Sequence, residues 1–198
     1  PKYKVLSPLI RYFNPSEYIW NAGAKYFWGF RRYYYADKNI NCLPNKQYLD
    51  SGYLTGCALL FTSDCIEDNK LLTERFFHGE EDFEFSFRMR SKKYKMACVL
   101  DSVIFHKVGM SIKKVGERNL GVIYIHYLQR FIDVRDHMSR LSYFTWRHIS
   151  SSYILILLLR QRYSLSSILK LIRMINKNSF KQNGISKEQF AEYIKIKF

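Results

Sequence analysis

The chain has 198 residues, 47% hydrophobic and 17% aromatic, and a formal net charge of +15. That is long enough to bury a core and too rich in aromatic side chains for a disordered chain. Cys42, Cys57, Cys65 and Cys98 have no close-pair spacing, which speaks against a zinc site or a disulfide framework and for reduced thiols.

The charge is uneven. Residues 1–106 hold 15 basic and 12 acidic side chains, a net of +3, and residues 107–198 hold 17 and 5, a net of +12. A basic half of this kind faces nucleic acid, anionic lipid or water.

In chain order, residues 4–12 form an apolar stretch broken at Pro8 and stopped by Asn14-Pro15, which predicts a strand and a turn. The segment YIWNAGAKYFWGFRRYYY sets Gly23 and Gly29 among large aromatics, which predicts irregular backbone running close to another segment. GCALLF, residues 56–61, is an unbroken apolar run and reads as a strand covered on both faces. Thr62-Ser63-Asp64 offers capping oxygens ahead of a short polar helix. The acidic cluster Glu80-Glu81-Asp82 then opens a helix over FEFSFRMR, with Phe83 and Phe87 one turn apart. KYKMACVL and SVIFH read as two short strands, the second ending at His106.

Beyond Ser111, IYIHYLQRFIDVRDHMSRLSYFTWRHI has apolar residues at helical spacing and reads as one long amphipathic helix. HISSSYILILLL, residues 148–159, is too short to span a bilayer as a helix. Residues 163–177 are again amphipathic and basic, and a short helix is expected after Ser186.

The chemistry-bearing block runs from Gly52 to Ser111. A carboxylate at a helix N-terminus, Asp82, is kept ionised by the helix dipole and free backbone donors, and at the mouth of a cleft it can serve as a general base on a hydroxyl. His106, at a strand end, offers a neutral imidazole to a divalent cation. Taken singly, such an acid is most often a cap, and such a histidine most often an ordinary surface or core residue.

The order of the parts is more specific. The block resembles the family-two inverting glycosyltransferases of the GT-A fold, especially the rhamnosyltransferase-like branch that acts on bacterial surface polysaccharides. The matching residues are the glycine-flanked GYLTGCALLF, then Thr73-Glu74-Arg75-Phe76-Phe77 against the family's (D/E)-E-x-F-F, then Glu81-Asp82 with Arg88 and Arg90. His106-Lys107-Val108-Gly109-Met110-Ser111 matches a histidine with a K-x-G-x-S tail, and Ala22-Gly23 an upstream turn. Leu100-Asp101-Ser102 stands where the family has proline and Asp-Ala, and no Asp-x-Asp triplet occurs in the chain.

The resemblance covers roughly residues 1–115 and implies an α/β chain: the acceptor-side part of a GT-A (nucleotide-diphospho-sugar transferase) domain over 1–115, followed by a basic helical region over 116–198. The opening PKYKVLSPLI reads as a start inside a longer parent, just after the donor-binding strands. The resemblance further implies Asp82 as the catalytic base and Glu81 as a residue shaping the same site. Thr55 and Gly56 would line the substrate pocket with Arg88, and His106 would complete the shell of a divalent metal, Mg or Mn, on the donor diphosphate. The expected partners are a nucleotide-sugar donor and a glycan or lipid-linked acceptor. The expected location is cytoplasmic, peripheral at the inner face of the plasma membrane.

The basic tail is then expected to meet an anionic membrane surface through amphipathic helices. Three alternatives stand beside these expectations: a solvated helical packing region, nucleic-acid binding without any recognised motif, and a catalytically inactive remnant serving as a membrane- or partner-binding module.

Overall fold

The computed structural model describes residues 1–107 and 119–198. The chain is mixed α/β and divides into two compact units, Pro1–Thr73 with Glu81–Ser111 and Glu74–Glu80 with Ile112–Phe198. Residues 108–111 of the K-x-G-x-S tail, and the expected boundary at residues 115 and 116, lie outside the described residues.

The first unit is built on β1 (Val5–Tyr12), which pairs in parallel with β7 (Met96–His106). β5 (Tyr48–Ser51) continues the sheet antiparallel on the far side of β7. The other side of β1 is shared by β6 (Leu60–Phe61) near its start and β2 (Ile19–Asn21) near its end, both antiparallel. β3 (Ala24–Phe27) and β4 (Phe30–Tyr33) form a separate hairpin. At its turn Trp28 and Gly29 both take positive φ, so the irregular backbone expected around Gly29 is confined to that tip.

Pro8 does not break β1. The ladder reaches Pro8 opposite Val99 and resumes with Leu9 opposite Val103, so residues 100–102 bulge from β7. Proline has no N–H to give the ladder, and the neighbouring strand takes up the offset. The two short strands expected over 93–106 are therefore one strand with a bulge.

GCALLF is likewise not a doubly covered strand. Only Leu60–Phe61 is extended, on the edge of the sheet, and Leu60 is 70% exposed. The Gly56 amide is held by Asp82, and residues 56–58 turn instead of extending.

Helix α1 (Glu81–Ser91) has Glu81, Asp82 and Glu84 in its first turn and Arg88 and Arg90 in its last, the arrangement the helix dipole favours. Its buried face sets Phe85 and Met89 against Val5, Leu54, Cys65 and Met96, which fixes α1 at the beginning of β1 and β7. Phe83 and Phe87 do meet one turn apart, with ring centroids separated by 6.3 Å. The expected polar helix after Thr62 is only a 3-10 turn, Ser63–Cys65. All four cysteines are free thiols.

The second unit is helical. α2 (Leu120–His137) and α3 (Arg140–Arg160) both pack against α4 (Leu165–Asn178), and α2 also packs against α5 (Lys187–Tyr193). The single long helix expected here is two. Met138 is extended, and Ser139 starts a new helix by accepting from the Ser142 N–H. Ser164 caps α4 in the same way, and Ser186 with Gln189 makes a reciprocal capping box on α5. Tyr124, Leu128, Phe131, Trp146, Ile168 and Leu171 form part of the interior, with Phe131 and Trp146 edge to face at 4.9 Å. No helix among the described residues is long and apolar enough to cross a membrane.

The acidic cluster divides between the units. Glu80, fully buried, belongs to the helical unit and pairs with Arg130, so α1 opens on Glu81 and Asp82 alone.

Candidate functional site

The segment that leaves β5 becomes the floor of the candidate site. Gly23 sits at φ 86°, and a Cβ there would come within 2.5 Å of Ser51 Oγ, so only glycine lets the two segments meet. Ser51 Oγ uses the closeness, accepting from the Ala24 N–H at 2.9 Å and donating to the Tyr53 carbonyl at 2.5 Å. Tyr53 and Leu54 are buried by this clamp, and Leu54 N–H donates to Ser86 Oγ on α1 at 3.3 Å.

These bonds bring Asp82 over the loop. Its Oδ2 accepts from Tyr53 Oη at 2.8 Å and from the Gly56 N–H at 3.1 Å. Oδ1 takes no hydrogen bond among the described residues, and Asp82 is half-exposed. The carboxylate is thus oriented through one oxygen, which leaves the other without a hydrogen bond among the described residues. Burial, and after it the charge of Asp82, pushes the Tyr53 hydroxyl well above its ordinary value, so it keeps its proton and stays a donor.

The other residues singled out in the sequence fall around this point unequally. Gly56 is in direct contact with Asp82. Thr55 is buried beside it, its hydroxyl directed to Cys57 Sγ at 3.5 Å. Glu81 begins α1 one residue earlier and is half-exposed. The Cys57 residue is exposed, while partial desolvation of its thiol raises it above its ordinary value.

Arg88 is turned to another task. Its guanidinium donates to Glu67 at 3.0 Å, to Glu84 at 3.2 Å and to the Leu71 carbonyl at 2.6 Å, which ties the 67–71 loop to α1. Six residues along a helix of 3.6 residues per turn, it leaves α1 on a different side from Asp82.

His106 is also apart. β5 runs antiparallel to β7 with Ser51 opposite Met96, so the chain leaves the sheet toward Tyr53 and Gly56 from the start of β7. His106 is the last residue of β7, opposite Tyr12, with its imidazole against Trp20 at 4.5 Å. Among the described residues no three His, Cys, Asp or Glu side chains come together as a metal-binding group. A single imidazole is at most one ligand of Mg or Mn, which take oxygen-rich shells.

The sequence reading missed Arg31. Its guanidinium lies over the Phe83 ring at 3.8 Å and within 4.9 Å of the Tyr53 ring centre, next to the tyrosine that orients Asp82. It forms no ion pair among the described residues, and its charge acts to lower the Tyr53 hydroxyl against the stronger effect of burial. The only signal was the aromatic run following Arg31-Arg32, which supplies cation–π partners at many registers.

No protein-family model matches the chain, and comparison with curated proteins finds no significant match.

Proposed function

We propose that this chain is the acceptor-side part of an inverting glycosyltransferase, acting on a nucleotide-sugar donor and a hydroxyl of a glycan or lipid-linked acceptor. The reading rests on the resemblance of the Gly52–Ser111 block, and the single observation supporting it most is the half-exposed Asp82 carboxylate, fixed through Oδ2 with no hydrogen bond to Oδ1 among the described residues. In this reading Oδ1 accepts the proton of the acceptor hydroxyl. The acceptor oxygen forms its bond to the anomeric carbon as the bond to the nucleotide diphosphate breaks, on the opposite face of the sugar. Glu81 shapes the entrance, and Thr55 and Gly56 line the pocket. Arg88 keeps the helix and loop in register. His106 would be this chain's candidate for one ligand of a Mg or Mn ion, which would supply charge neutralisation for the leaving group.

The helical unit belongs to the same proposal as a membrane-surface element at the inner face of the plasma membrane. What supports this is the net charge of +12 over residues 107–198.

The test is sugar transfer by the protein expressed from its full open reading frame, wild type against Asp82→Asn. Asparagine keeps the shape and the capping oxygen but accepts no proton at neutral pH, so turnover should fall by ~10²–10⁴-fold with donor binding nearly unchanged. A variant keeping more than about a tenth of the turnover would place the base elsewhere. Retention of the anomeric configuration in the product would reject inversion.

A further inference from the structure

A cavity of about 520 Å³ opens at the start of α3, between Met138, Arg140 and Arg147 on one side and Phe180, which follows α4, on the other. Three arginines and no carboxylate line it. Arg135 is a fixed wall, its guanidinium donating to the carbonyls of Ser179 and Gln182 and to Asp136. Asp136, next to Arg135 in sequence, is already paired with Arg75 as well as Arg135.

The other two cations are available. Arg147 lies over the rings of Phe144 at 5.5 Å and Phe180 at 5.3 Å, and its Nε is buried without a hydrogen-bond partner among the described residues. A buried guanidinium N–H without an acceptor is unfavourable until one arrives. Arg140, the first residue of α3, is exposed and forms no ion pair among the described residues. Guanidinium groups with aromatic walls suit an oxyanion carried on an apolar body.

The surroundings favour one source for that oxyanion. From Phe144 onward α3 exposes Ile149, Tyr153, Ile156 and Leu159, each 45% or more accessible, and Leu141 beside the cavity is 79% accessible. No acidic residue occurs in α3. An exposed face rich in apolar side chains, with only the uncharged Thr145 and Ser152 and the histidine His148 among them and Arg140 and Arg160 at its ends, is the pattern of a helix lying in a membrane interface.

We infer that the helical unit binds the phosphate of an anionic phospholipid between Arg140 and Arg147, with the exposed face of α3 lying along the bilayer surface. The inference rests on the membrane-surface reading above and adds the site and its ligand to it.

The experiment is co-sedimentation of the whole chain with phosphatidylcholine vesicles, with and without phosphatidylglycerol, at fixed salt. The variants are Arg140→Gln/Arg147→Gln and the charge-matched pair Lys187→Gln/Lys195→Gln, each checked for native circular dichroism. Binding should require phosphatidylglycerol. The arginine pair should weaken it by about tenfold or more and the lysine pair by less than about threefold, from roughly 1 kcal/mol per basic residue held at the surface. Arg140→Gln alone, at an exposed helix start, should weaken binding by about fivefold and serves where Arg147→Gln disturbs the fold. Equal losses in the two pairs would overturn the cavity site while keeping the membrane reading. Failure of the wild type to bind anionic vesicles would overturn both. Displacement by millimolar inorganic phosphate, or by a single-stranded oligonucleotide, would reject the lipid as the ligand.

Discussion

The Tyr53 hydroxyl donates to Asp82 Oδ2 at 2.8 Å, joining the segment after β5 to the first turn of α1 across 29 residues of sequence. The bond orients the carboxylate and ties helix to sheet with the same atoms. Tyr53→Phe should therefore have two effects. Folding stability should fall by about 1 kcal/mol, read as a lower urea midpoint with an unchanged slope. Sugar transfer should fall as well, but by less than in Asp82→Asn, since Gly56 still holds Oδ2. An unchanged midpoint would mean that the bond contributes nothing to folding.

Gly23→Ala tests the clamp beneath the site. Alanine would have to adopt φ 86° and bring its Cβ to 2.5 Å from Ser51 Oγ, displacing the hydroxyl that bonds Ala24 and Tyr53. The expected loss is at least ~1–3 kcal/mol, from backbone strain before the lost bonds are counted. Thermal unfolding of the variant should show it, and the tolerant result, a midpoint equal to wild type, would contradict the close approach of the two segments.

The buried pair of Glu80 and Arg130 predicts non-additivity. Removing one partner, as in Glu80→Leu or Arg130→Met, leaves the other ill-matched in the interior and should destabilise by ~3–5 kcal/mol. The double variant Glu80→Leu/Arg130→Met should cost less than the sum of its single changes, because no uncompensated charge remains. Urea unfolding of the four proteins closes the cycle.

Alkaline pH should weaken the fold. Burial pushes the Cys98 thiol up from 9.0 to about 12, so the folded chain holds a proton that the unfolded chain releases. The unfolded state binds fewer protons throughout that window, and stability must fall as pH rises from 9 toward 12. Tyr124, raised by burial from 10.0 to about 12, adds to the same slope. Denaturation at stepped pH measures it, and alkylation followed by mass spectrometry should find Cys42 modified readily at pH 8 while Cys98 in the native protein is spared.

Local features were the legible ones. The α1 helix could be read from its acidic first turn, basic last turn and spaced phenylalanines, and α5 from Ser186. The break between α2 and α3 was hidden because apolar spacing runs on through Met138, and only the serine hydroxyl at position 139 redirects the chain. The bulge in β7 was half legible, since the sequence broke the stretch between Leu100 and Ser102, but its place opposite Pro8 and Leu9 depends on another strand. Asp82 and Gly56 were singled out in the sequence, but their direct bond, the tyrosine behind it and the position of Arg31 depend on packing between distant segments. The Glu80–Arg130 pair, 50 residues apart, was invisible for the same reason, and its glutamate looked like one more acid at a helix start.

The chain passes between its two units three times, after Thr73, after Glu80 and after Ser111. Glu74–Glu80 is thus a loan from the first half of the sequence to the helical unit. Phe76 is 3% exposed there and pairs with Ile185, while the Arg75 carbonyl accepts from the Ile185 N–H at 2.7 Å. Gly184 is pressed so near that a Cβ would fall 2.2 Å from that carbonyl. No single scissile point in the polypeptide separates the units. A C-terminal truncation strips partners from Phe76 and Glu80, and an isolated helical fragment lacks the strap that closes it. Insertion of an affinity tag or a fluorescent reporter should be tolerated more poorly between residues 74 and 80 than at either terminus, because the segment is part of the helical unit's own interior.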